Sequence, residues 1–359
     1  LSASVDSLVF AASDDATVSV ADVMTLNAND AAINADGDFG LKAAGAASIS
    51  SDSLSMNADK TLAVSAGEIA TITTSELELS ASTSVELLTE QLKVGSTRSM
   101  EVFSASSLDA TTTDLIVSSF EDTTMSAGER ATVTAADVTL NAGDTLDVSA
   151  DDTRVRNSGV VDVFAGESTR VTSKDVTMSV GEKVEILGGE EVKVTTSSLD
   201  LSADTAASVS TKDMSMSVDS GMTATVGSTT QLTSTDVNVD AANDVKVSGL
   251  KEASVGTESV QVATSEGVKA DVGSELYVGA QNVQMNVVAT TQLSATDVSI
   301  GAAGDVTASA AGAMELSAGT MTVDTATDST IRMGGDATVE VGDAMKVSSV
   351  SSLDVSTGG

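Results

Sequence analysis

The stretch DVTLNAGDTLDVSA, Asp137–Ala150, contains the pattern that organises the whole chain. Val138-Thr139-Leu140 and Leu146-Asp147-Val148 are apolar–polar–apolar triplets, and between them NAGD, Asn141–Asp144, is a run of turn-forming residues. Alternation with period two marks a short extended strand with one buried face. The triplet recurs every seven or eight residues in both directions. Upstream it is seen at Leu8-Val9-Phe10, Ala16-Thr17-Val18, Met24-Thr25-Leu26, Leu54-Ser55-Met56, Leu62-Ala63-Val64 and Leu77-Glu78-Leu79. Downstream it continues through Val161-Asp162-Val163, Val283-Gln284-Met285, Val298-Ser299-Ile300 and Leu353-Asp354-Val355. Roughly 46 such units run nearly end to end. No segment sustains the i, i+3, i+4, i+7 apolar stripe of a helix. The chain has no proline, which suits a continuous ladder that needs every backbone N–H.

The spacing has a longer rhythm. Most units follow the order eight, eight, seven, which closes a block of 23; at intervals one octad is missing, leaving a block of 15. Two blocks of 23 and one of 15 give 61, the interval between SAGEIATI (Ser65–Ile72) and SAGERATV (Ser126–Val133), which agree at six of eight positions. The same interval relates Phe103 to Phe164 and spaces the apolar starts Ala70, Ala131, Val192, Ala253 and Met314. The series slips by one residue around Leu276, recovers at Val283 and is less regular after Met321.

Strands this short cannot bury an apolar face alone, and stacking them in parallel ladders solves the problem. The expected fold is all-β: a three-sided β-solenoid, or triangular β-helix, of strand-plus-corner units with about 23 residues per turn. The first and third residues of each triplet face inward and the middle one faces water. The inward residues are Val, Leu, Ile, Met and Ala, so the interior is filled rather than a pore. Residues 1–359 read as one continuous repeat domain, a segment of a longer protein or filament. Two windings fit. In one, a single chain makes all three sides; in the other, three identical chains intertwine and each layer has three equal sides. The free mixing of sevens and eights favours the intertwined homotrimer, because stacked sides in a single chain become unequal.

Composition narrows the function. The 359 residues include no His, Cys or Trp, and aromatics make up 2%. Imidazole bases, thiol nucleophiles and His/Cys zinc sites are therefore excluded. The net charge is −36, from 53 acidic and 17 basic residues. That field repels nucleic acid and anionic membranes. No apolar run is long enough for a transmembrane helix. There is neither a Walker-type lysine loop nor a dinucleotide fingerprint. Acidic pairs sit at convex corners without the cleft that glycosidase chemistry needs. The expectation is a structural, non-catalytic protein: a rigid acidic rod serving as the shaft of a spike, fibre or extracellular filament, outside the cell or on a virion or cell surface. Self-association, as a homotrimer or end to end, is its expected partnership. The alternative is an adhesin-like module using one face for a glycan, a divalent cation or ice.

Units such as Asp137–Ala150 and DVSIGAAGDVTASAAG, Asp297–Gly312, resemble the octad-repeat β-helix of contractile-tail spike proteins, among them phage tail spikes and the type VI secretion spike family. The resemblance implies an intertwined trimeric needle that transmits force and pierces. This chain carries no His for the metal-bound tip of that family.

Few residues stand out as sites. Phe103 and Phe164 lie just past their triplets and Tyr277 is the middle of its own; facing outward, the three mark a candidate lateral contact. No cofactor is expected beyond weakly bound Ca²⁺ at acidic corners such as Asp151-Asp152 and Gly334–Asp336; hard cations need six to eight converging oxygens. Met24, Met56, Met100, Met178, Met214, Met216, Met285, Met314 and Met321 fall on inward positions and read as core filler. The run Thr111–Thr113 is isolated and does not form the ranked threonine face that ice binding requires.

Overall fold

The computed structural model describes residues 2–203 without a break and, from there to 357, the strands. Side-chain surroundings are described for residues 2–196, 198–203 and scattered positions as far as 300. Among the described residues there is no helix, and every strand pairing is parallel. The chain forms two compact units, Leu1–Gly181 and Glu182–Gly359.

Each unit is a solenoid that one chain winds by itself. In the first unit Thr61–Ala66 lies against Ser84–Leu88, which lies against Ser107–Thr111, which lies against Arg130–Ala135. The first two steps pair Leu62 with Val85 and Val85 with Leu108, a separation of 23 in each case. The expected size of the turn is therefore observed. The intertwined trimer is not: ladder partners come from the same chain one turn away. The mixture of sevens and eights has another explanation. Three ladders define three faces. Ala47, Ala70, Leu92, Leu115 and Val138 stack on face A. Leu54, Leu77, Met100, Thr123, Leu146 and Thr169 stack on face B. Leu62, Val85, Leu108, Ala131, Thr153 and Val176 stack on face C. The seven-residue step first joins A to B (Ala47 to Leu54, Ala70 to Leu77). It then joins C to A (Val85 to Leu92, Leu108 to Leu115, Ala131 to Val138) and finally B to C (Leu146 to Thr153, Thr169 to Val176).

The short edge thus migrates around the prism. Each move shortens a single turn by one residue, as between Ala70 and Leu92 and between Ala131 and Thr153. Stacked sides stay equal within each stretch, and the strain of unequal sides is confined to single turns. The two long-repeat copies accordingly sit at different edges: Gly67 turns the chain from face C to face A, and Gly128 turns it from B to C. In the second unit a shortened turn of the same kind joins Val192 to Met214, and another joins Leu276 to Val298, where the sequence rhythm slips. A bulge between Ala318 and Thr320 lies close to the irregularity after Met321.

The inward and outward assignments hold over most of the first unit, with Phe10 of the first triplet exposed as an exception. Leu54 and Met56 are buried and Ser55 between them is half-buried; Val161 and Val163 are buried and Asp162 is exposed. Burying these aliphatic side chains is the main stabilising term, about 1.5–3 kcal/mol for each one fully buried. Met24, Met56, Met100 and Met214 are in the core, Met178 and Met216 are half-buried, and Met285, Met314 and Met321 lie outside the described side chains.

A third inward position follows each triplet, two residues further on and next to the corner. Ala58, Ala66, Ala81, Ala142 and Ala165 fill it at eight-residue edges. Hydroxyls fill it elsewhere, at eight-residue edges in Ser96, Ser104 and Ser119 and at seven-residue edges in the four residues that follow. Thr74 donates toward the carbonyls of Asp52 (3.1 Å) and Glu76 (2.8 Å). Thr89 does so toward Glu68 and Gln91, Thr112 toward Glu90 and Asp114 (2.9 Å each), and Ser173 toward Asp151 and Asp175. Each hydroxyl fastens the tight corner to the turn below.

By contrast, Thr153 and Thr169 occupy first inward positions with buried hydroxyls that have no partner. The same substitution is therefore expected to act in opposite directions. Thr112→Val should lose about 1 kcal/mol, one net hydrogen bond. Thr169→Val should gain about 1 kcal/mol by removing an unsatisfied buried hydroxyl. Thermal melting of the two variants checks both signs.

Candidate functional surface

The outer surface is built from the middle residues of the triplets and from the corners. Phe103 and Phe164 face outward, 42% and 44% exposed. They do not share a face: Phe103 stacks between Ser80 and Ser126 on face B, and Phe164 stacks on Asn141 on face A. A step of eight rungs carries a side chain to another face, so the structure does not bring the pair together. Tyr277 lies in the strand Glu275–Ala280, paired with Ser254 and Ser299, and its side chain lies outside the described residues. Phe120 is the most exposed large apolar residue described, at 76%, and sits at the corner between faces A and B. Periodicity did not single it out because it belongs to no triplet.

The acidic corners are mostly solvated. Asp151 is exposed, and the carboxylate of Asp152 is held by Arg154, at 2.5 and 3.1 Å. Among the described residues no three acidic side chains converge as a metal site would require. Gly334–Asp336 lies outside the described residues. Thr112 of the Thr111–Thr113 run turns inward while its neighbours face out.

Corner carboxylates also serve the backbone. Asp15 accepts the N–H of Asp38 at 2.9 Å, Asp38 accepts that of Thr61 at 3.0 Å, and Asp137 accepts that of Val160 at 2.9 Å. The hydrogen bond from Asp38 and the nearby Lys60 ammonium (3.6 Å) hold the Asp15 carboxyl below its ordinary range. A lowered carboxyl stabilises the fold above its unfolded-state pKa, and that contribution is lost as pH falls through the folded-state value.

A groove of about 730 Å³ runs along the short edge between faces A and B of the first unit. Its outer rows are Asn27, Ser50 and Thr73 on one side and Asn29, Asp52 and Ser75 on the other, with Ala28, Ser51 and Thr74 as its floor. These residues gave no signal in the sequence beyond ordinary corner composition, because they meet only once successive turns are stacked.

No protein family, curated protein or solved structure matches the chain.

Proposed function

We propose that the protein is structural: a stiff acidic shaft, part of a spike, fibre or extracellular filament outside the cell or on a virion or cell surface, without catalysis and joined to further copies end to end. The observation that carries this reading is the uninterrupted parallel stacking of rungs around a filled aliphatic interior within each unit. Parallel ladders with a dry core resist bending and shear, and a carboxylate-covered exterior keeps such an object in solution. The pattern-level resemblance to contractile-tail spikes points to the same use.

Light scattering and electron microscopy test the proposal together. The expected result is long, thin particles whose mass is 35.8 kDa when dilute and rises in multiples of it with concentration. Compact particles, or a fixed mass that does not change with concentration, would overturn it.

A further inference from the structure

The shaft reading leaves the short-edge groove of the first unit without a role. Its volume of about 730 Å³ falls in the range of ligand pockets. Its lining is stacked: Asn27, Ser50 and Thr73 belong to successive turns, as do Asn29, Asp52 and Ser75. Equivalent side chains therefore recur about every 4.8 Å along the groove. Such a surface suits a ligand that is itself a linear repeat. Among the described residues, the side chains of Asn27, Asn29, Ser50, Asp52 and Thr73 have no hydrogen-bond partner, so their amides, hydroxyls and carboxylate are free to serve one.

The floor, by contrast, faces the interior. Ser51 stands where Thr74 stands one turn above, but its buried hydroxyl reaches no carbonyl, and the residue is only 9% exposed. A buried hydroxyl without a partner is costly, but this one occupies the inward corner position and takes no part in the outer surface of the groove.

The lining also restricts what can bind. It holds no Lys, Arg or aromatic residue and includes the carboxylates of Asp6 and Asp52, which disfavours nucleic acid and acidic polysaccharide. Backbone groups along the groove are already used: Ser51 N–H donates to Thr73, Asp52 N–H to Asn29 and Ser75 N–H to Asp52. An extended peptide therefore cannot add itself as a strand. Apolar contact is limited to small surfaces such as Val5 and Ala28. We propose that this groove binds a neutral, polyhydroxylated glycan chain lying along the stack, through side-chain hydroxyl, carboxamide and carboxylate contacts.

Native electrophoresis of the full chain, in gels cast with mixed-linkage β-glucan, galactomannan or dextran and in a control gel with dextran sulfate, tests the proposal. At least one neutral polysaccharide should retard the protein and dextran sulfate should not. Ser50→Trp fills the groove from an exposed outward position and should raise the dissociation constant roughly tenfold or more with no change in melting temperature. Ser51→Ala should leave binding unchanged and stability equal or higher, because that hydroxyl faces the interior. Asp52→Asn should keep binding within about threefold, since a neutral ligand does not need the charge. Retardation by none of the neutral polysaccharides, equal retardation of Ser50→Trp, or abolition of binding by Asp52→Asn would each overturn the proposal. The shaft reading would stand in every case, because it is decided by particle shape and mass.

Discussion

Val163→Asp is expected to lose about 3–5 kcal/mol, the scale of an uncompensated buried charge. Val163 is 7% exposed and points into the interior of face A above Leu140, and no basic side chain lines that interior among the described core residues. Asp162, its neighbour, is exposed and stacks on Thr139. Asp162→Ser should therefore shift stability by less than about 0.5 kcal/mol, as surface changes do. Chemical denaturation of both variants against the parent gives the comparison. Similar losses from the two would mean that inward and outward are misassigned. The core would then no longer be the aliphatic column on which the fold depends.

The second large effect is expected from a single methyl group at a corner. Gly128 donates its N–H to the Ser104 carbonyl, and a Cβ on it would lie 1.8 Å from the carbonyl oxygen of Ala105. Gly67, its counterpart in the earlier copy of the long repeat, would place a Cβ 1.9 Å from Ala44. No real contact is that short, and the obstacle is backbone, so the corner has to move and take the ladder with it. Gly128→Ala should lose about 1–3 kcal/mol, the usual range for forced overpacking. Gly95 provides the control: it lies in a strand of the same unit, and a Cβ there meets nothing within 4 Å. Gly95→Ala should be neutral or gain up to about 1 kcal/mol through the unfolded chain. Melting curves of the two variants separate the steric requirement from glycine content as such.

Much of this architecture was legible because the deciding signal is local. In Asp137–Ala150 the side-chain alternation, the corner and the next strand all fall within one short window, and a period of two leaves little choice about which residues face the core. The winding was harder. Whether Leu62 pairs with Val85 of its own chain or with a neighbour's strand is a long-range fact, and the mixture of sevens and eights fits both until one sees that the short edge moves as a block. The inward corner residues were hidden for a chemical reason. Thr74, Thr89 and Thr112 are turn formers by composition, and nothing in their immediate sequence distinguishes a hydroxyl facing water from one fastened to two carbonyls. Candidate site residues were the least legible. Phe103 and Phe164 stood out by matching across the long repeat, yet that repeat is what places them on different faces. The groove at Ser50–Asp52 involves no unusual residue and arises from stacking alone.

The migrating short edge bears on how such a chain can grow. A tandem duplication of one copy of the long repeat inserts eight rungs, which is not a whole number of turns of a three-sided coil. Everything beyond the insertion is carried round by one side of the prism while the hydrogen-bonding pattern stays intact. Three successive duplications are needed before an ancestral surface feature points in its original direction. Gene duplication can therefore lengthen the protein without penalty to folding, but each event redistributes what lies outside, leaving every copy's exterior free to diverge while its corners and core stay constrained.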